Sequence, residues 1–479
     1  MINIAIGVIR TKVMAMLLGP AGFGLSGLFL SIANLTQSIA GMGINSSGVR
    51  QIALAVGSED SARIARTVSV LRRTSIILGG LGALLLLVFS RQISEITFKS
   101  GRYASGVALL SIAVFFNLVS AGQGALIQGM RRISDLAKVA VLGALFGTII
   151  TIPTVYWLRE RGIVPSLVAI GAAALITSSF YSRRVKIVAP KLAPIEVWQE
   201  ARALLKLGFA FMASSLMMMG SAYLVRIAVL QKLGLEATGL YQSAWTLGGL
   251  YVGFILQAMG ADFYPRLTAS SKDHAVCNRM VNEQARIGLL LAGPGAIATL
   301  TFAPLVISLF YTAKFGPAVE LLRWICLGAT LRVITWPMGF IILAKGAQNM
   351  FFFSDLAWTV VHVGLAWIFL RVFGLNGAGM AFFAAYLFSA CLVYPIVRRL
   401  TGFRWSSENK KTAGVYLSLI AMVFGSFYVL PLAWSICAGT LAAMFISIYS
   451  LRVLLKLVST ERIPRPVQRL FVAFGFMPA

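Results

Sequence analysis

Apolar runs of about twenty residues, the length a helix needs to cross a hydrocarbon core, alternate with short charged or Gly/Pro-rich breaks through almost the whole chain. Fourteen such runs are legible, at 1–18, 23–45, 72–90, 104–128, 136–158, 163–182, 205–230, 238–260, 286–312, 318–343, 352–372, 376–397, 413–431 and 433–457. Each is predicted to be a transmembrane helix, which makes the chain an all-α polytopic membrane protein. Two breaks look instead like helices lying in the headgroup boundary. Residues 194–207, PIEVWQEARALLKL, place Val197, Trp198, Ala201, Leu204 and Leu205 at helical spacing with Glu196, Glu200, Arg202 and Lys206 opposite, a pattern suited to the interface. A similar helix is expected at 59–73, with the Ser58 hydroxyl as its N-cap.

The pattern is used twice. Residues 18–53 carry Leu18-Gly19, Gly24-Leu25, Met42-Gly43 and Arg50, and residues 233–269 carry Leu233-Gly234, Gly239-Leu240, Met259-Gly260 and Arg266 in the same order. Further matches fall at nearly the same separation of about 215 residues, as an internal repeat demands. Arg66 recurs as Arg279, the tetrapeptide SDLA at 134–137 recurs at 354–357, and Gly162, Arg183 and Arg184 recur as Gly377, Arg398 and Arg399. The expected domains are therefore a six-helix bundle over 1–200 with a cytoplasmic linker helix, its repeat over 201–410, and two additional helices with a basic cytoplasmic tail over 411–479. An even number of helices per copy inserts both copies in the same sense. They are then related by a pseudo-twofold axis along the membrane normal, with a central site and alternating access by rocking of the halves.

Charge sets the orientation. Of 479 residues 58% are hydrophobic and only 12% charged, against about a quarter charged in soluble proteins, while the net charge is +27. In a soluble domain such a balance points to nucleic acid. Here most cations follow even-numbered spans, from Arg50, Arg63 and Arg66 through Arg183, Arg184, Arg398 and Arg399 to Arg462, Arg465 and Arg469. The positive-inside rule accounts for them without nucleic acid and puts both termini in the cytoplasm. No cleavable signal peptide is legible, since the first apolar run continues through Leu18 without an A-x-A-like site. That run is short beside its partner, which begins near Leu204, so either residue 1 lies inside a longer chain or the first helix has lost turns.

Ionisable groups inside a bilayer are costly and mark functional sites. Arg10 and Lys12 fall in the first span, Arg226 in the seventh, and Arg323 and Arg332 in the tenth, with Arg10 and Arg226 repeat equivalents. Arg50 and Arg266 fall at the cytoplasmic ends of spans two and eight. The acids are fewer: Asp262 beside Arg266, Glu320 near Arg323, and Asp135 and Asp355 at the openings of spans five and eleven. After plausible pairing the interior stays positive, so Arg10, Lys12, Arg50, Arg226, Arg266 and Arg332 are candidate ligands for an anion, because guanidinium forks grip phosphate oxygens and keep their charge when partly dry. Asp262, Glu320, Asp355 and His362 are candidates for ion coupling or charge pairing. Gly293, Pro294 and Gly295 form the strongest candidate hinge, since a proline inside a span removes a backbone hydrogen bond.

Motifs for covalent or metal chemistry do not occur. There is no G-x-x-x-x-G-K-[ST] loop, no paired carboxylates, no Ser-His-Asp set and no metal cluster, and the four cysteines imply neither zinc nor a disulfide framework. No cofactor is expected, and a monomeric transporter rather than an enzyme fits the short outer loops.

The LGPAGFGL segment opening the second span, the GMG followed by Arg50-Gln51-Ile52-Ala53, and the six-plus-six repeat with two extra helices resemble Wzx-type polysaccharide flippases of the multidrug/oligosaccharidyl-lipid/polysaccharide exporter superfamily. The resemblance implies transport of undecaprenyl-pyrophosphate-linked oligosaccharide repeat units, as for O-antigen, capsule or exopolysaccharide, from the cytoplasmic to the periplasmic leaflet of a bacterial inner membrane. It implies coupling to protons or sodium, and a polysaccharide polymerase and chain-length regulator as protein partners. The alternatives are a multidrug exporter of the same superfamily and a membrane polysaccharide polymerase or ligase.

Overall fold

The computed structural model describes residues 2–57, 60–185 and 193–457, which are almost entirely helical and contain no strand. In chain order the helices are α1 (Ile2–Gly41), α2 (Ile44–Gly57), α3 (Ser61–Val88), α4 (Ser90–Phe98), α5 (Ala104–Gly129), α6 (Ile133–Leu158), α7 (Ile163–Arg183) and α8 (Pro194–Ala269). They continue as α9 (His274–Thr301), α10 (Ala303–Phe310), α11 (Ala318–Ala344), α12 (Gln348–Val372), α13 (Asn376–Thr401), α14 (Ser407–Val429) and α15 (Leu432–Leu457). Among the described residues ten helical runs are long and apolar enough to cross a membrane, or eleven when α9 and α10, bent by 85° at their junction, count as one broken span. Their outer faces are greasy: Ile77, Leu81, Leu84 and Val88 of α3 all stand half or more exposed, which suits lipid rather than water. Trp157 at the end of α6 and Trp434 at the start of α15 are 77% and 68% exposed, as aromatic anchors at a membrane boundary are. The chain is a multi-pass membrane protein.

Glycine sets the breaks in the two longest helices. Gly19 (φ 64°, ψ −174°) interrupts α1 and Gly234 (φ 87°, ψ −178°) interrupts α8, a backbone region essentially reserved for glycine. Spans one and two are thus continuous across a kink, as are spans seven and eight. Local structure repeats in step elsewhere. Asp60 and Asp273 cap α3 and α9, their carboxylates accepting from the backbone N–H of Arg63 (2.9 Å) and Val276 (3.0 Å), and each helix is 28 residues long. A short helix follows each, α4 and α10, whose existence the hydrophobic pattern alone did not reveal.

Two sequence expectations need correction. Residues 194–207 form no separate interfacial helix but the first turns of α8, and α3 likewise runs unbroken from Ser61. The cap is Asp60; Ser58 and Glu59, like the basic tail with Arg462, Arg465 and Arg469, lie outside the described residues. In sequence, an interfacial helix and the charged end of a long span look alike. Loss of either cap is predicted to cost about 1 kcal/mol. Thermal melting in detergent should therefore show Asp60→Ala and Asp273→Ala each below wild type, with Asp60→Asn close to it.

The chain divides into two compact units. Unit 1 comprises Met1–Gln242 with Phe310–Lys314, and unit 2 comprises Ser243–Leu309 with Phe315–Ala479. In unit 1, α5 packs on α3 and α7, and α6 packs on α7 and α1, around a core of Leu25, Phe29, Ile32, Leu86, Leu110, Val114 and Ile163. Thr97 of α4 and Tyr223 of α8 share a 2.5 Å hydrogen bond, and Gln231 Nε2 donates to the Ile96 carbonyl. These bonds fix the turns of α8 that carry Arg226. In unit 2 the same pairings recur one repeat on: α11 packs on α9 and α13, and α12 on α13. There α14 and α15 add to α9, and Phe263, Val281, Met338, Ile341, Val397 and Phe403 belong to a buried cluster.

The duplicated stretch meets itself inside unit 1. A Cβ on Gly24 would lie 2.6 Å from the Leu235 carbonyl oxygen and from the Gly239 nitrogen, and a Cβ on Gly239 would overlap the Pro20 carbonyl oxygen. Because Pro20 and Leu235 stand one repeat apart, as do Gly24 and Gly239, the contact is reciprocal. Gly43, at φ 64°, and Gly208 meet backbone to backbone in the same unit. Only glycine permits approaches this close.

Candidate functional site

Arg226 is held in unit 1, in the part of α8 that precedes the Gly234 break. Its Nε donates to Gln242 Oε1 at 2.7 Å and its Nη1 donates to Ser31 Oγ at 2.8 Å. The Ser31 hydroxyl donates its own hydrogen bond to the Gly27 carbonyl at 2.7 Å, so its lone pairs are turned toward the guanidinium. Gly27 matters again, because a side chain there would press on the Gln242 amide, 3.0 Å from where its Cβ would stand. Buried Tyr241 lies within electrostatic reach.

Every partner of Arg226 is neutral. The ion pairs among the described residues all lie elsewhere. Two of the five N–H donors of the guanidinium are engaged, which leaves three for an acceptor brought from outside. A positive charge so placed, preset by two hydrogen bonds but not neutralised, has the chemistry to hold an acceptor or an anion.

The other cations differ in setting. Arg10 in α1 and Arg332 in α11 are half-buried and form no ion pair among the described residues. Lys12 is half-buried on α1. Arg332 belongs to unit 2, where Tyr386 of α13 lies within electrostatic reach of both Arg332 and Asp355. Arg50 is exposed near the middle of α2, and Arg266 is exposed and paired with Asp262 at 2.5 Å. A pair so open contributes little to stability.

Arg323, the most deeply buried of the described arginines, is a packing residue. Its Nη1 pairs with Glu320 Oε2 at 3.5 Å, its Nε donates to the Leu300 carbonyl at 3.4 Å, and its guanidinium lies 3.5 Å from the Phe427 ring centroid. Tyr428 of α14 donates to the other Glu320 oxygen. Glu320 thus serves as the counter-ion that lets α14 pack over a buried charge. Breaking such a pair strands the partner, at about 3 kcal/mol. Glu320→Ala is predicted to lower the melting temperature clearly, while transport per folded molecule stays near that of wild type.

His362 is buried against aromatic rings. It stacks on Trp358 (4.9 Å) and meets Phe382 edge-on (5.9 Å). Asp355, seven residues earlier, is half-buried at the other end of the same face of α12. At Gly293, Pro294 and Gly295 the structure records packing: α9 stays helical there, and the 85° bend comes later, between Thr301 and Ala303. Side chains at Gly293 and Gly295 would overlap the rings of Tyr416 and Tyr251. The Tyr251 hydroxyl donates to the Leu291 carbonyl at 2.6 Å, in the turn that the proline loosens.

Ser31 and Gln242 escaped the sequence reading, since hydroxyl and amide side chains are common in membrane helices. Their position inside the duplicated stretch was the available signal.

Comparison with known proteins agrees with this architecture. A family model described as "Polysaccharide biosynthesis protein" matches residues 13–320. The chain belongs to that family. Within this polysaccharide biosynthesis family it is similar to the lipid III flippases of Escherichia coli (strain K12) and Shigella flexneri, each 22% identical over 414 residues that cover 82% of this chain and 94% of the relative. Among solved structures it resembles an inward-facing multidrug resistance MATE family transporter of the MOP superfamily, with TM-score 0.70, 18% identity, and coverage of 86% of this chain and 96% of that one. It also resembles the lipid II flippase MurJ in an inward closed conformation, with TM-score 0.68, 15% identity, and coverage of 95% and 98%. At these identities the structural likeness concerns the fold, which is that of the MATE and MurJ transporters. Family and relatives together make this polysaccharide biosynthesis protein a transporter rather than an enzyme, as the resemblance to polysaccharide flippases implied.

Proposed function

We propose that the chain turns polyprenyl-pyrophosphate-linked oligosaccharide units, of the undecaprenyl type, from the cytoplasmic to the periplasmic leaflet of a bacterial inner membrane. Arg226 carries this reading: a membrane-embedded guanidinium bonded only to Ser31 and Gln242 suits an anionic headgroup and disfavours a cationic drug. Arg10, Lys12 and Arg332 supply further positive charge, and Arg50 and Arg266 attract the pyrophosphate at the cytoplasmic side. The lipid III flippase relatives support a lipid-linked cargo.

Fourteen spans fit this function. Three of the helical runs, Ala5–Gly41, Ile133–Arg183 and Ser215–Ala269, are 37, 51 and 55 residues long, room for two crossings each at about 20 residues per crossing. Counting them twice raises eleven to fourteen. The reciprocal Gly24 and Gly239 contact supports two six-helix halves, 1–200 and 201–410, related by a pseudo-twofold axis, with α14 and α15 added, and the bias of cations along the sequence supports both termini cytoplasmic. Asp355 is the candidate for ion coupling, since Tyr386 lies within electrostatic reach of both it and Arg332.

The fold likeness to a multidrug transporter favours a second reading, drug export. Expression in two hosts separates the two: one lacking its polysaccharide flippase, the other lacking its drug pumps. Restored surface polysaccharide with unchanged drug sensitivity is expected; drug resistance without polysaccharide would reverse the assignment.

A further inference from the structure

Unit 1 carries a second group of arginines, away from Arg226. Arg183 and Arg184 are exposed at the end of α7. Arg72 of α3 donates from Nη2 to the Ser182 carbonyl at 3.3 Å, and it lies near enough to Arg183 for the two charges to repel. None of the three has an ion-pair partner among the described residues.

They stand at the foot of a shallow, open groove lined by Leu175, Ile176, Ser179, Phe180, Arg183 and Arg184. The steps 175, 179, 183 and 176, 180, 184 put these six on one stripe of the helix, apolar along its length and cationic at its end. Ile176 and Phe180 are 69% and 55% exposed. The Arg184 guanidinium lies over the Phe180 ring (4.4 Å to the centroid) and the Tyr181 ring (5.1 Å), so it is folded back along the helix and preset beside the groove.

The repeat equivalents of Arg183 and Arg184 are Arg398 and Arg399, exposed in the last turn of α13, whereas the groove described here lies on α7. An exposed apolar stripe ending in two forked cations matches a bilayer lipid with a phosphate head.

We propose that this groove binds an anionic phospholipid of the surrounding bilayer, its phosphate between Arg183 and Arg184 and an acyl chain along Ile176 and Phe180. The occupant is a resident lipid and not the transported one.

Lipid binding to the purified full chain is measured by native mass spectrometry, titrating phosphatidylglycerol against phosphatidylcholine. Wild type should prefer phosphatidylglycerol. R183Q/R184Q should weaken that binding on the order of tenfold, R183K/R184K should keep most of it, and the matched pair R398Q/R399Q should leave it unchanged. Inorganic phosphate at equal concentration should not compete, because it lacks the chain. Three results would overturn the proposal: equal affinity for the two lipids, equal losses from the two glutamine pairs, or displacement of phosphatidylglycerol by a polyprenyl pyrophosphate with no loss in R183Q/R184Q.

Discussion

Gly239→Ala is expected to leave little folded protein in the membrane. The added methyl would overlap the Pro20 carbonyl oxygen and crowd the Gly24 nitrogen, and all of these are backbone atoms of helices packed on both sides. A flexible side chain could swing away, but a helix backbone moves only by displacing its neighbours. The cost is set at no less than about 4 kcal/mol, the range reached when backbones must separate. Gly24→Ala should do the same from the other side, because the contact is reciprocal. Gly7→Ala, in α1 but with open space around it, is the control and should melt with wild type. Normal yield and melting of Gly239→Ala would mean that the two copies of the repeat do not meet there.

The second large effect falls on transport and spares stability. No carboxylate depends on Arg226, so replacing it strands no buried charge, unlike the loss of Glu320 beneath Arg323. Arg226→Gln should therefore reach the membrane in normal amount and melt with wild type. A headgroup that loses a charge-assisted hydrogen bond loses about 3 kcal/mol, roughly a hundredfold in affinity. Surface polysaccharide in a complemented flippase-null strain should fall below detection. Arg226→Lys should restore a fraction, since an ammonium supplies the charge without the fork. Ser31→Ala and Gln242→Leu should each weaken transport less, because they orient the guanidinium without meeting the cargo. Arg332→Gln tests the contribution of unit 2 in the same assay.

Much of this was legible in the sequence because the bilayer imposes its own length scale. Runs of about twenty apolar residues located α5, α6, α7, α12, α13, α14 and α15 closely, and the repeated Leu-Gly and Gly-Leu pairs marked the segments that prove to be broken at Gly19 and Gly234 and packed at Gly24 and Gly239. What escaped depended on partners distant in the chain. Glu408 neutralises Arg286 across 122 residues, and the Arg226 setting joins Ser31 and Gln242 across 195 and 16 residues. Hydropathy cannot show such pairings. Pattern also misled where two structures share one signature: the amphipathic turns at 194–207 belong to α8, since a long helix emerging from the membrane carries its charges on one end just as an interfacial helix carries them on one side. At Gly293 and Gly295, glycines beside a proline suggest a hinge, and what the sequence does not show is that they admit the rings of Tyr416 and Tyr251.

The decisive measurement is leaflet transfer of a fluorescent polyprenyl-pyrophosphate oligosaccharide by the purified protein in liposomes, wild type beside Arg226→Gln, with a dephosphorylated polyprenol glycoside as the uncharged control. Transfer of the pyrophosphate cargo by wild type alone, with neither protein moving the uncharged lipid, is the expected result. Equal transfer by Arg226→Gln, or equal transfer of both lipids by wild type, would contradict the claim that an un-neutralised guanidinium grips the anionic head.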